Sequence, residues 1–367
     1  MLITEPTPYR MFFRRLTRPP FTPYPGTPKQ IAHHIIESCW QKNYMSVSNG
    51  HFKDFYCRDF GMCTQALCAL GYQDKVLKTL NWALHIFEHH NILTTTINSR
   101  QQPVNFFHYG IDSLPFILKS IYELLRYEPK AQALRKRFFT FLQQQLHIYQ
   151  TYFTSEGLAL TNTRFSEIKD HYLRPSSCYA VCMGGMTAYY AKKLGLPTTL
   201  TNIDFRSTLI EHYYTGTHFR DHVQTDIGSG DAQVFPFYAH IIPHNYLFDA
   251  CIHYIQQQQL DKPFPLKYTQ KAVQDKRSTL ATYFASDYET NTCWIHLGLC
   301  HIQNVLTYDV ALAKAYLQSY TDLIHQHKNF LEVYTAQGKP YGSAWYITDE
   351  SMIWVSMYLH MIQRLHM

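Results

Sequence analysis

The sequence predicts an all-α protein folded as an (α/α)6 barrel, a toroid in which six inner helices are ringed by six outer ones. Three observations carry this prediction. Helical apolar spacing dominates and β-strand patterns are scarce, one kind of helix recurs six times, and the links between helices alternate between short and long. A closed ring of paired helices accounts for all three.

The bulk composition is that of a globular protein with a large core. The chain has 367 residues, of which 46% are hydrophobic and 16% charged, which excludes a disordered protein. The net charge of +6 is mild, and its clusters at Arg14, Arg15 and Arg18 and at 135–137 carry no nucleic-acid-binding signature. We therefore expect no nucleic-acid partner.

The compartment is inferred from what the sequence lacks and from its thiols. No apolar run approaches the roughly 20 residues that cross a bilayer, and the first residues lack a signal-peptide core, so we expect no membrane partner. Several of the nine cysteines lie within apolar helical patterns, which favours buried reduced thiols over disulfides. Together these features predict a cytoplasmic protein of undetermined oligomeric state.

The first residues differ from the rest. PPFTPYPGTP, residues 19–28, is incompatible with a helix or a central strand. We predict an extended Pro-rich arm over 1–28 and a single barrel domain over 29–367.

The recurring helix is rich in small and apolar residues and follows a polar turn. Such a helix is apolar nearly all round and should be buried. Its six copies are predicted at 58–71, 112–127, 174–195, 230–242, 290–306 and 348–363. An early polar residue recurs in them every 53 to 64 residues, at Asp59, Asp112, Ser176, Asp231, Thr292 and Glu350.

Amphipathic helices with one polar face alternate with the buried ones and should lie outside. They are predicted at 29–44, 73–90, 129–150, 308–328, near 200–214 and near 245–259. Links from a buried to an outer helix are short, and links back are long, so the long loops should gather at one rim. The alternative, an open helical solenoid, usually has shorter and more similar repeats.

Polar residues at the starts of the buried helices should line the floor of a funnel at that rim. They are Arg58, Asp59, Asp112, Asp170, Arg174, Asp231, Glu289, Asp349 and Glu350, with Glu332 on the long loop before the last helix. Helix capping is the plain alternative for Asp112, Asp231 and Asp349, because an Asp before a helix accepts its free N–H groups.

Searches for other chemistry give little. There is no HExxH motif and no Walker-type glycine loop, and Cys178 and Cys182 lack a second cysteine pair. We therefore predict neither a metal nor another cofactor.

Four segments, in order, resemble the six-hairpin glycosidase superfamily of glucoamylase-like, trehalase-like and neutral-invertase-like glycoside hydrolases. They are FYCRDFGMCTQALCALGYQDKVLKTLNWAL, YGIDSLPFILKSIYEL, FLEVYTAQGKPYG and YITDESMIWVSMYLHMI. The resemblance implies that Asp112 is the general acid and Glu332 the second carboxylate. It also implies that Arg58 and Asp59 hold sugar hydroxyls.

The physical chemistry of glycoside cleavage agrees with two such roles. One carboxyl must donate a proton to the leaving oxygen while the other, ionised, acts on the opposite side of the ring. Asp112 beside an apolar helix should be kept protonated by desolvation, opposed by the helix N-terminus. Glu332, on a more polar loop, should stay ionised and activate water in an inverting hydrolysis.

The expected substrate is a small glucoside or an oligosaccharide. Asp170, Arg174 and Asp231 are expected to contact it. Aromatic side chains suit sugar stacking, and the candidates are Phe107, Tyr109, Trp294, Tyr334, Tyr341 and Trp345. Two alternatives stay open, namely a non-catalytic carbohydrate-binding barrel and a lyase or isomerase on the same fold.

Overall fold

The structure is a computed structural model that describes residues 6–17, 20–105, 108–170, 174–271, 287–343 and 346–367. Its helices are α1 (Pro6–Thr17), α2 (Pro28–Ser38), α3 (Cys57–Ala69), α4 (Gln73–His89), α5 (Ser113–Leu125), α6 (Ala131–Arg137), α7 (Phe139–Gln150), α8 (Cys178–Leu194), α9 (Phe205–His212), α10 (Gly230–Tyr238), α11 (Tyr246–Gln257), α12 (Ile295–Leu306), α13 (Val310–His327) and α14 (Val355–Arg364). A 3-10 turn at Thr199–Asn202 precedes α9.

Six helices form a closed inner ring, as predicted. Around it, α3 packs on α5, α5 on α8, α8 on α10, α10 on α12, α12 on α14, and α14 back on α3. The remaining helices from α2 onward alternate with these along the chain and lie outside. The fold is therefore an (α/α)6 barrel, and the open-solenoid alternative is wrong because the first and last inner helices are in contact.

Helix bounds differ from the predictions mainly at the long-link ends of the inner helices. Helix α8 begins at Cys178 rather than 174, α12 at Ile295 rather than 290, and α14 at Val355 rather than 348. The predicted outer helix over 129–150 is broken into α6 and α7 at Phe138. Polar segments ahead of the inner helices are thus loop, not helix.

Close packing of the inner ring depends on small residues. A Cβ built on Gly61 of α3 would lie 2.5 Å from the Cβ of Phe116 on α5 and 2.8 Å from its carbonyl oxygen. The two backbones approach so closely that only glycine fits there. The apolar face of α5 fills the centre, with Phe116, Ile117 and Ile121 fully buried.

Short strands brace the long loops where they enter the inner helices. The described strands are β1 (Phe55–Tyr56), β2 (Thr96–Ile97), β3 (Pro103–Val104), β4 (Tyr109–Gly110), β5 (Phe165–Ser166), β6 (Cys293–Trp294) and β7 (Val333–Tyr334). The antiparallel sheet has the order β1-β2-β3, β4 pairs with β5 in parallel, and β6 pairs with β7 antiparallel. The pairings of β1 with β2, β4 with β5 and β6 with β7 join segments that are far apart in sequence, whereas β2 and β3 belong to one loop. The long-range pairings tie the rim together around the funnel.

The prediction of an extended arm over 1–28 is wrong for part of that range. Residues 6–17 form helix α1, while 20–27 are free of helix. All nine cysteines are buried and unpaired, as predicted. Among the described helices, none has both the length and the apolar character that a membrane crossing requires.

Candidate active site

Asp112 stands directly before α5, but its side chain makes no capping hydrogen bond to that helix. Its Oδ2 instead accepts from Arg58 Nη1 at 2.9 Å and from the Tyr179 hydroxyl at 2.9 Å. Its Oδ1 is buried and has no hydrogen-bond partner among the described residues. Asp112 is 1% exposed, and the protein fixes one of its oxygens while the other has no described partner.

Arg58 and Asp59, consecutive residues of α3, do not form a mutual hydrogen bond but face separate partners. Arg58 also donates to the carbonyl oxygen of Glu167 at 2.7 Å. Asp59 accepts from the Trp354 indole N–H at 2.9 Å, and burial, opposed by Arg58, raises its pKa. Helix α3 therefore ties the acid-bearing start of α5 to the residues that lead into α14.

Glu332 is buried, at 2% exposed, rather than placed on a polar loop as the sequence suggested. Its Oε1 accepts from the Tyr288 hydroxyl at 3.1 Å, and its Oε2 accepts from the Asp349 backbone N–H at 2.9 Å and from the Tyr346 hydroxyl. Burial, reinforced by the Asp349 carboxylate, raises the pKa of Glu332 to about 8. The burial and the raised pKa of Glu332 thus oppose the ionised form that the sequence led us to expect, although its three donors suit a carboxylate.

A series of contacts connects Asp59, the neighbour of Arg58, to Glu332. The Trp354 ring lies 4.7 Å from that of His296, which lies 5.1 Å from that of Trp294. Trp294 in turn packs 4.8 Å from Tyr288, the residue that hydrogen-bonds to Glu332. The two carboxyl groups thus belong to one continuous group of rim residues.

Asp170 lies beside Arg58, with 3.8 Å between the Asp170 Oδ2 and the Arg58 Nη2. It accepts from the Ser166 hydroxyl at 2.5 Å, and its backbone N–H donates to Glu289 Oε1 at 3.0 Å. Burial raises the pKa of Asp170 to about 6, although Arg58 opposes this. Asp170 and Glu289, which were predicted separately, are therefore neighbours on the same side of the rim as Asp112.

Arg174 forms ion pairs with three carboxylates of the protein. Its guanidinium contacts Glu167 at 2.5 Å, Asp221 at 2.7 Å and Asp231 at 2.6 Å, and Lys169 lies 2.9 Å from Asp221. Burial raises the pKa of Glu167 to about 7 against the effect of Arg174. Asp231 is fully buried. The ion pair between Arg174 and Asp231 therefore joins the loop before α8 to the start of α10.

A cavity of about 70 Å³ adjoins this cluster. Its lining includes Asp221 of the cluster and Glu289, the neighbour of Asp170. The ion-paired cluster and the Asp170 neighbourhood therefore border the same polar space.

Two of the predicted stacking residues lie near Glu332. Trp294 packs on Tyr288, and Tyr341 lies 5.4 Å from Tyr288 while donating its hydroxyl to Asp287 at 2.8 Å. Two others lie outside the described residues, namely Phe107 and Trp345.

The remaining two have other surroundings. Tyr334 is 1% exposed and packs on Phe264 at 5.1 Å and on His327 of the outer helix α13 at 5.8 Å. Tyr109 packs on Tyr152, with ring centroids 4.5 Å apart and the rings tilted by 36°. None of the described contacts brings Tyr334 to the two carboxyl groups, because its ring fills the space between the inner and outer layers.

The capping alternative is wrong for the three aspartates to which it was applied. None of Asp112, Asp231 and Asp349 caps the helix that follows it with its side chain. Asp204 and Asp309 do cap the outer helices α9 and α13. Acidic residues at the rim are therefore used for something other than helix termini.

Helix α1 docks against the Glu332 side of the rim. Arg14 lies 3.9 Å from Asp349 and 2.5 Å from Glu350. Asp349 also accepts from the His51 backbone N–H at 3.0 Å, and the His51 ring lies 3.1 Å from the Tyr346 hydroxyl, which bonds to Glu332. Asp349 and Glu350 therefore hold the arm and neighbouring loop in place beside Glu332.

Several residues of this group were not found from the sequence. They are Tyr179, Tyr288, Tyr346, Glu167 and His296. Tyr179 and His296 occupy the first turns of α8 and α12, so the position of an inner-helix start could have indicated them. The loop residues carried no periodic signal. Within the described residues, no group of three or more His, Cys, Asp or Glu side chains is arranged to hold a metal ion.

Several solved glycosidases have a similar fold. A rhamnosidase from Klebsiella oxytoca with rhamnose bound has a TM-score of 0.69 at 10% identity over 93% of this chain, and the chain spans 63% of that protein's length. A glycosidase variant in complex with glucose has a TM-score of 0.65 at 11% identity, with coverage of 92% and 97%. The GH63 mannosylglycerate hydrolase from Thermus thermophilus has a TM-score of 0.62 at 10% identity, with coverage of 91% and 99%.

These similarities agree with the fold of this chain, an (α/α)6 barrel. At 10 to 11% identity they are similarities of fold alone. No protein-family model matches the sequence, and no curated protein matches it significantly.

Proposed function

We propose that the protein is a glycoside hydrolase in which Asp112 and Glu332 are the two catalytic carboxyl groups. The observation that carries this proposal is the presence of two buried carboxyl groups in one connected group of rim residues, on a barrel shared with glycosidases. A small glucoside or an oligosaccharide is the proposed substrate, and the cytoplasm the proposed location.

The unpartnered oxygen of Asp112 supports its role as the acid. Arg58 and Tyr179 hold Oδ2, so a proton on Asp112 would reside on Oδ1, the oxygen that no described residue contacts. In the proposed step the glycosidic C–O bond breaks and Oδ1 gives its proton to the leaving oxygen. The Arg58 guanidinium then stabilises the carboxylate that forms.

Glu332 would accept a proton from the water that attacks the anomeric carbon. It must be ionised to do so, and its pKa of about 8 means that this base is mostly neutral at pH 7. We therefore propose that catalysis at neutral pH uses the minor, ionised form of Glu332.

The test combines variants with two kinds of leaving group. Asp112→Asn should lower hydrolysis of an alkyl glycoside by 10²-fold or more but spare an aryl glycoside with an acidic phenol, because such a group leaves without a proton. Glu332→Gln should lower hydrolysis of both. Equal losses on both substrates for Asp112→Asn would refute its role as acid.

Stereochemistry tests the inverting mechanism separately. Proton NMR of the first sugar released shows whether its anomeric configuration is inverted or retained. Saccharide binding without turnover across alkyl and aryl glycosides of glucose, mannose and rhamnose would replace the proposal with a carbohydrate-binding barrel. An unsaturated or rearranged product would indicate lyase or isomerase chemistry.

A further inference from the structure

His296 is a buried histidine at the start of the inner helix α12. It is 4% exposed, and neither of its ring nitrogens has a hydrogen-bond partner among the described residues. Its ring lies between the indoles of Trp294 and Trp354, at 5.1 and 4.7 Å. Buried polar atoms are nearly always hydrogen-bonded, so these two nitrogens require an explanation.

The position of His296 gives that explanation. On one side, Trp354 donates to Asp59, next to Arg58, which holds Asp112. On the other side, Trp294 packs on Tyr288, the hydroxyl donor to Glu332. His296 therefore lies along the contact path between the two candidate catalytic residues.

Burial without a partner is not sufficient by itself, as a second histidine of α12 shows. His301 is 1% exposed, and its ring nitrogens also lack described partners. Its ring, however, packs 5.7 Å from Tyr316 on the outer helix α13. His301 thus belongs to the interface between the layers, and it provides an internal comparison for His296.

The chemistry of His296 selects a neutral ligand. Burial, reinforced by Arg58, lowers its pKa well below the usual value, so the imidazole is neutral. A neutral imidazole has one N–H donor and one bare nitrogen acceptor. A sugar hydroxyl both donates and accepts, and the neighbouring indoles offer apolar surface to sugar C–H groups.

We propose that His296 is a substrate-binding residue that exchanges hydrogen bonds with hydroxyl groups of a neutral pyranose held between Asp112 and Glu332. This inference rests on the proposed function, since it concerns the same site. It adds the chemical class of the bound unit, which is an uncharged sugar ring. It also adds the residue whose hydrogen bonds distinguish the hydroxyl groups of that ring.

The test compares the affinities of wild type and of one variant for a parent sugar and for analogues that each lack one hydroxyl. His296→Phe keeps a ring between the two indoles and removes both nitrogens. The wild type is titrated with glucose, mannose and rhamnose by saturation-transfer NMR and tryptophan fluorescence. The best-bound sugar is then compared with its monodeoxy analogues in wild type, His296→Phe and His301→Phe.

We expect His296→Phe to weaken binding of the parent sugar about 3- to 10-fold, the range of a neutral hydrogen bond. One monodeoxy analogue should bind the wild type more weakly by a similar factor, yet bind His296→Phe as well as the parent sugar does. His301→Phe should bind every sugar like the wild type. A purely structural role would weaken binding of all analogues alike.

The outcomes separate this inference from the proposed function. If the wild type binds a sugar but His296→Phe shows no loss, or an equal loss for every analogue, the role of His296 is refuted while the glycosidase proposal stands. If the wild type neither binds nor turns over any sugar of the panel, both proposals fall.

Discussion

The burial of Glu332 has a measurable consequence that needs no substrate. In the folded protein burial and Asp349 raise its pKa from 4.5 to about 8. The neutral form is therefore favoured by folding, and the ionised form is not. The contribution of Glu332 to the unfolding free energy should be fully present below about pH 4.5. It should be lost progressively as the pH rises through 8. Glu332→Gln is neutral at every pH and should lack this loss.

The magnitude follows from the displaced pKa. Each pH unit between the unfolded and folded values costs about 1.4 kcal/mol of unfolding free energy. Between pH 5 and pH 8 the wild type should therefore lose about 3–4 kcal/mol more than Glu332→Gln. Other buried groups titrate in this range, including Asp170 at about 6 and Glu167 at about 7. Their contributions are common to both proteins and cancel in the difference.

Urea unfolding at pH 5 and pH 8, followed by tryptophan fluorescence, measures this difference. Asp204→Asn is the control, because the Ser207 hydroxyl and backbone N–H groups lower the pKa of Asp204 below 3.8, outside the range tested. It should lower stability equally at both pH values. If wild type and Glu332→Gln lose the same free energy, Glu332 is not buried in the manner described and the raised pKa is wrong.

Three further predictions concern the architecture. Arg174→Ala leaves three carboxylates without their shared cation and should lower the unfolding free energy by about 3–5 kcal/mol in urea; a loss below 1 kcal/mol would contradict this. Arg14→Ala removes the cation that holds α1 to Asp349 and Glu350, so limited proteolysis should cut between α1 and α2 faster than in wild type, and unchanged rates would show that other contacts hold α1. Gly61→Ala places a methyl group 2.5 Å from the Phe116 Cβ and should destabilise the barrel by about 1–3 kcal/mol by overpacking, which a thermal melt no lower than that of wild type would exclude.

The ring of helices could be predicted from the sequence because the pattern of apolar residues along each helix indicates how that helix is buried. A helix apolar all round must be buried, and the alternation of short and long links sorts the loops between two ends. Asp112 and Glu332 reach the rim for that reason. The position of Asp112 before α5 was readable, but its loss of a capping role was not, since that depends on Arg58 and Tyr179 from other helices.

The sequence by itself determined the helix periodicity, the sixfold repeat and the end of the barrel at which polar side chains gather. Only the tertiary structure decided which of those side chains are engaged by protein and which are free. Arg174 forms ion pairs with three carboxylates, Tyr334 packs towards the outer layer, and Glu332 is buried rather than placed on a polar loop. These outcomes depend on burial and on partners many residues away, and neither is encoded in local spacing.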